Sequence, residues 1–151
     1  MILVDANLLI YAYNLSSPFQ EPARRWLEEV LSGSEAVGIS WTSALAFLRI
    51  TTNPKAFTNS FTIEEATSIV EGWYLQPSVK LVQAGEKHLQ ILVRLLRASH
   101  ARGPLVMDAH VAALAIEHGA TLCSTDSDFS KFPGLTYMNP LVPKSQKPQS
   151  T

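Results

Sequence analysis

Ile2-Leu3-Val4-Asp5-Ala6-Asn7 is the stretch that decides the fold. Three consecutive apolar residues without alternation suit a strand covered on both faces, as in a parallel sheet lying between helices. Asp5 then falls just past the carboxyl end of that strand, and Ala6 to Tyr13 reads as a short helix. Further out, a second helix is expected after Pro18, with Trp26, Leu27, Val30 and Leu31 at helical spacing and Gly33 closing it. Ala36 to Ile39 reads as the next strand. Thr42 to Ile50 reads as a helix stopped by Thr51-Thr52-Asn53-Pro54. Thr62 and Glu65 form a capping-box pair ahead of Ala66, Ile69, Val70 and Trp73, which predicts a helix ending at Pro77. Val79 to Val82 is a third strand. A helix from Glu86 to Ala101 is expected to turn Leu89, Leu92, Val93, Leu95 and Leu96 inward, and another starts at Pro104 and closes at Gly119. Thr121 to Ser124 follows as a strand. This alternation predicts an α/β three-layer sandwich, a central parallel sheet of about four to five strands flanked by helices. It fills residues 1–138, and residues 139–151, rich in Pro, Ser, Gln and Lys, are expected to be a disordered tail.

Composition narrows the possibilities. The 151 residues, 46% hydrophobic, suffice for one domain with a real core. Twelve basic against thirteen acidic residues leave a net charge of -1, so a polyanion would have to be bound by a local site rather than by overall attraction. Cys123 is the only cysteine, which excludes an intramolecular disulfide and a Cys-rich zinc framework and fits a reducing compartment. There is no basic leader, and no apolar run nears the roughly 18 residues of a membrane helix. A soluble, unprocessed, cytoplasmic protein is expected, with no membrane partner.

The nine glutamates are scattered over helices and turns, whereas all four aspartates, Asp5, Asp108, Asp126 and Asp128, occupy positions that converge on one crevice. In open parallel sheets that crevice lies beyond the carboxyl ends of the strands. Asp5 and Asp126 follow strands, Asp108 lies near the start of a helix leading into the second of them, and Asp128 is two residues beyond Asp126. Carboxylates brought together repel one another unless a hard cation or a shifted protonation relieves them, and Mg2+, with Mn2+ as a substitute, suits such oxygen donors. In phosphodiester cleavage such cations engage the phosphate and lower the pKa of a bound water. A plainer reading makes Asp5 a helix cap, Asp108 a first-turn acid and Asp126 with Asp128 a turn.

Four segments carry a family resemblance: Val4-Asp5-Ala6-Asn7; Trp41 with Phe47-Leu48-Arg49-Ile50 through Thr52-Asn53-Pro54; Asp108-Ala109-His110; and Thr125-Asp126-Ser127-Asp128-Phe129 followed by Phe132-Pro133-Gly134-Leu135. From Met1 to near Tyr137 the chain resembles PIN-domain proteins, specifically VapC-type toxins of toxin-antitoxin systems. The resemblance implies a magnesium-dependent endoribonuclease that cuts cellular RNA and is held inactive by a cognate antitoxin, with Asp5, Asp108 and Asp126 at the catalytic metal positions. The chain departs from the pattern in the helix Thr42 to Ile50. Many PIN domains place a glutamate there, and this chain has Ala46 and Phe47, with no acidic residue between Glu35 and Glu64. A subgroup sharing Phe-Leu-Arg-Ile resembles it in that absence too. The number of metal ions is therefore open, and Asp128 is a conditional ligand, acting directly or through a water.

Other residues carry two readings each. Asn7 suits a hydrogen bond to Asp5 or to a ligand water, and equally a helix cap. Arg49 suits a bidentate grip on a carboxylate or phosphate, against a surface ion pair. Thr42 and Ser43, opening a helix after a strand, suit water positioning or capping. His110, two positions from Asp108, is turned about 200° away on a helix and reads as a packed or surface histidine rather than a metal ligand. Arg94, Arg97 and Arg102 suit an RNA-binding face or an ordinary solvated one. Trp26, Trp41 and Trp73 read as core or subunit-interface anchors, and an expected homodimer and the antitoxin would both use such surface. Two rival functions stand beside the nuclease: a catalytically impaired PIN scaffold acting as a binding module, and an aspartate-based phosphohydrolase or phosphoacceptor, for which only Lys131 offers a partner lysine.

Overall fold

The computed structural model describes residues 1–143, in the order β1 (Ile2–Val4), α1 (Ala6–Tyr13), α2 (Gln20–Ser32), β2 (Val37–Ser40), α3 (Trp41–Thr51), α4 (Ile63–Leu75), β3 (Val79–Val82), α5 (His88–Ser99), α6 (Leu105–Glu117), β4 (Thr121–Cys123), a 3-10 turn (Ser127–Lys131) and β5 (Tyr137–Met138). All five strands are parallel, in the order β3-β2-β1-β4-β5. The central strand β1 pairs Ile2 with Val37 and Leu3 with Gly38 on one side, and Leu3 with Leu122 and Val4 with Cys123 on the other.

Side chains alternate across a strand, so the apolar run of β1 divides between two cores. Ile2 and Val4 join Leu8, Leu9 and Ala12 of α1, Leu27 of α2, Phe47 of α3 and Trp73 of α4. Leu3 joins Val82, Leu95 of α5, Leu122 and the small-residue run Val111 to Ala115 of α6. The expected three-layer sandwich follows directly. Gly38 has a steric reason to be glycine, because a Cβ there would stand 2.6 Å from Val82 Cγ2 and 3.2 Å from Leu3 Cδ1.

The structure departs from the sequence reading at some margins. Leu89 lies in the first turn of α5 and is 69% exposed instead of facing inward, because the helix begins only at His88 and the core contacts start later, at Ile91, Leu92 and Leu95. The two-residue strand β5 has no counterpart in the sequence pattern. Beyond it, Asn139 Oδ1 accepts the Leu141 N–H at 3.0 Å and Leu141 packs on the α1–α4 core, while residues 144–151 of the expected disordered tail lie outside the described residues. Among the described residues, no helix is long and apolar enough to cross a membrane.

The chain passes outward from β1 to β2 and β3, then returns through α5 and α6 to β4 on the far side of β1. The strand order therefore reverses between β1 and β4, which opens a crevice at their carboxyl ends.

Candidate metal centre

The backbone locks the crevice at its base: the Asp5 N–H donates to the Cys123 carbonyl at 3.0 Å, tying the residue after β1 to the end of β4. Asp5 is the N-cap of α1, its Oδ1 accepting the Ala6 N–H at 2.9 Å. Its Oδ2 accepts the Ser124 hydroxyl at 2.8 Å. Ser124 is fully buried, and its Oγ also accepts from Asn7 Nδ2 at 3.1 Å and from the Asp126 N–H at 3.0 Å. One hydroxyl thus ties Asp5, Asn7 and Asp126 together. Sequence reasoning missed Ser124, and the signal was its position, directly after a buried strand and two residues before Asp126. Asn7 does not cap α1, since Asp5 holds that place; it bears on Asp5 through Ser124.

Asp126 caps the 3-10 turn, its Oδ1 accepting the Asp128 N–H at 2.9 Å, and Asp128 Oδ1 pairs with Lys131 Nζ at 3.0 Å. Asp108 projects from the first turn of α6. Asp108, Asp126 and Asp128 each offer an oxygen, and these oxygens all lie within 4.8 Å of one another. Asp5 is not in that trio, but its negative charge acts on Asp108. Burial pushes the Asp108 carboxyl up to about 6, helped by the negative charges of Asp126, Asp5 and Asp128 and opposed by Lys131. Burial also raises Asp5, with Asp126 adding to the rise and the bonds from Ser124 and Ala6 resisting it. A cluster of oxygen donors that holds its own carboxyl above the usual range fits a hard divalent cation and offers nothing to a soft one.

Above the aspartates lies a cavity of about 620 Å³ lined by Asp5, Asp108, Thr42, Ala46, Arg49 and Met107, among others. Ala46 is thus among the α3 residues that line the cleft, whereas Phe47 is fully buried against Trp73, ring centroids 4.6 Å apart. The face of α3 where a glutamate would add a carboxylate carries a methyl group. Arg49 is exposed at the cleft. Ser40, not Thr42, caps α3, accepting the Ser43 N–H at 3.2 Å. Thr42 Oγ1 lies 3.0 Å from His110 Nε2, and His110 Nδ1 lies 2.9 Å from His88 Nε2.

Arg94 and Arg97 share a shallow groove on α5 with Glu86, Leu89 and Val93, while the exposed Arg102 is not among the residues lining it. Trp73 is buried, Trp26 packs at the edge of the core, and Trp41 is 52% exposed beside Tyr74, ring centroids 6.1 Å apart.

A PIN domain family model matches residues 2–135. The chain is 42% identical over 140 residues to Ribonuclease VapC37 of Mycobacterium tuberculosis, covering 93% of this chain and 97% of the relative. It is 33% identical over 141 residues to Ribonuclease VapC33 of the same species, covering 93% and 99%. Among solved structures, its fold is similar to that of VapBC2 from Rickettsia felis bound to a promoter DNA fragment, with a TM-score of 0.68 at 19% identity over 92% of this chain and 98% of that one. It is also similar to that of Mycobacterium tuberculosis VapC20, described as a sarcin-ricin loop cleaving toxin, with a TM-score of 0.61 at 21% identity over 86% and 93%.

Proposed function

The chain belongs to the PIN-domain family, in its VapC branch, and from that premise we propose that it is the toxin of a toxin-antitoxin pair, an endoribonuclease working at the aspartate cluster. The observation that carries this reading is the convergence of Asp108, Asp126 and Asp128 within 4.8 Å at the strand-order reversal, with Asp5 beside them. Asp5, Asp108 and Asp126 would hold the cation, Mg2+ or Mn2+, with Asp128 as a conditional ligand supported by its nearness to Asp108 and Asp126, and Ser124 would fix Asp5 against Asp126. When bound, that ion supplies Lewis acidity toward the scissile phosphate and the attacking water. Arg49 stands where a guanidinium can take phosphate oxygens, and Asn7 with Ser124 holds the acidic groups in register. RNA as substrate is supported by relatives named as ribonucleases, and an antitoxin partner by similar folds found in VapBC complexes. A homodimer in the cytoplasm completes the proposal.

One observation favours a second reading. Ala46 leaves the cleft without the glutamate that many PIN domains place on this helix, which suits a binding scaffold that has lost catalysis. A phosphoacceptor draws less support, because both Asp5 oxygens are engaged and Lys131 pairs with Asp128.

Purified chain freed of antitoxin, given Mg2+ or Mn2+ and a broad panel of RNAs, should cleave at least one of them, and Asp5→Ala and Asp108→Ala should not. No cleavage across the panel by wild type overturns the nuclease and favours the scaffold.

A further inference from the structure

Thr42, which lines the acidic cleft, ends a hydrogen-bonded chain of three side chains whose direction can be argued from their partners. His88 Nε2 and His110 Nδ1 are 2.9 Å apart, and His110 Nε2 and Thr42 Oγ1 are 3.0 Å apart. Between two ring nitrogens at that distance only one carries the shared proton. The far nitrogen, His88 Nδ1, is buried and has no partner among the described residues. If His110 Nδ1 carried the shared proton, neutral His88 would have to place its own on Nδ1, leaving a buried N–H unpaired. The opposite arrangement leaves only a bare acceptor there, and unpaired buried donors are the rarer and costlier of the two. His88 is therefore the Nε2–H tautomer and donates to His110. His110, with Nδ1 accepting, keeps its proton on Nε2 and donates to Thr42. The Thr42 oxygen accepts, which leaves its own O–H without an assigned acceptor.

We propose that this chain holds Thr42 as a hydrogen-bond donor facing the cleft, where it takes a non-bridging phosphate oxygen of the RNA backbone. The proposal rests on the nuclease reading above. Thr42 lines the cavity that also holds Asp5, Asp108 and Arg49, and it forms the wall shared with a smaller cavity of about 300 Å³ lined by Ser40, Trp41, Gln83 and His110. The carboxylates of that cleft only accept, so a phosphate needs donors from elsewhere. Ala46 supplies none, and Arg49, exposed at the rim, carries its fork of N–H donors on a long, flexible stem, whereas a hydroxyl on the first turn of α3 is held close to the helix backbone. Thr42 is the substrate-facing group, and His110 and His88 are positioning residues that act through it.

The test has two arms. Long-range proton–nitrogen correlation spectra of the imidazoles near neutral pH should show both His88 and His110 as Nε2–H tautomers; an Nδ1–H signal from His110 overturns the proposal without reference to activity. In the second arm, steady-state cleavage of a single-stranded RNA that the wild type cuts should show KM raised about tenfold in Thr42→Val, with kcat changed less, and restored to within about twofold in Thr42→Ser. Wild-type kinetics in Thr42→Val, or failure of serine to rescue, overturns the proposal while leaving the nuclease standing. A wild type that cuts no RNA overturns the nuclease and the phosphate-facing role with it, and the spectra then decide the hydrogen-bonded chain alone.

Discussion

Asp108 is the residue whose electrostatics can be read in solution. Its carboxyl is held up at about 6 against an ordinary 3.8, so the folded state gives up that proton less readily than the unfolded state. In the metal-free protein the ionised form carries a penalty that is fully present above about pH 6 and disappears below the unfolded value. His110, lowered by burial and by His88, acts in the opposite sense over an overlapping range, so the comparison to make is between variants. Asp108→Asn should melt higher than wild type near pH 7 without added metal, and the difference should shrink to nothing as the pH falls toward 4. An equal offset at all pH values would contradict an origin in the ionisation of Asp108. The aspartates were legible in the sequence because they follow recognisable strands or begin a helix. Ser124 was not, because what makes its hydroxyl matter is proximity to Asn7 and Asp5, 117 and 119 residues away along the chain. For the same reason Asn7 was open between two roles.

At the scale of elements, the clearest signals were those whose cause is local. The capping box at the start of α4 is present in both halves, Glu65 N–H to Thr62 Oγ1 and Thr62 N–H to Glu65 Oε1, each at 3.1 Å. β1 was readable from three apolar residues because both of its faces are buried. β5, two residues long and half-exposed, has no such pattern, and Leu89 reads as inward because helical period alone does not say where a helix meets its core. Gly38 shows what packing adds. Gly38→Ala places a Cβ against Val82 and Leu3 at the centre of the sheet and should cost about 1–3 kcal/mol in urea unfolding. A neutral effect would mean that Val82 moves aside freely.

In the whole molecule, the acidic site exists only when the sheet has its full order. Asp5 comes from the end of β1, Asp108 from α6, and Asp126 and Asp128 from the turn after β4; no single segment holds more than two of them. With a net charge of -1, the molecule as a whole offers a polyanion no general attraction, so any such binding falls to local sites. Ala46 faces the cleft without a ligand, and we propose that the cluster binds one cation. Titration of the antitoxin-free protein with Mn2+, counting free ion by electron paramagnetic resonance, tests this directly. The expected result is saturable binding of one Mn2+ per chain, lost in Asp126→Asn; no binding by wild type, or the same binding in the variant, would contradict the assignment of the aspartate cluster as the metal site.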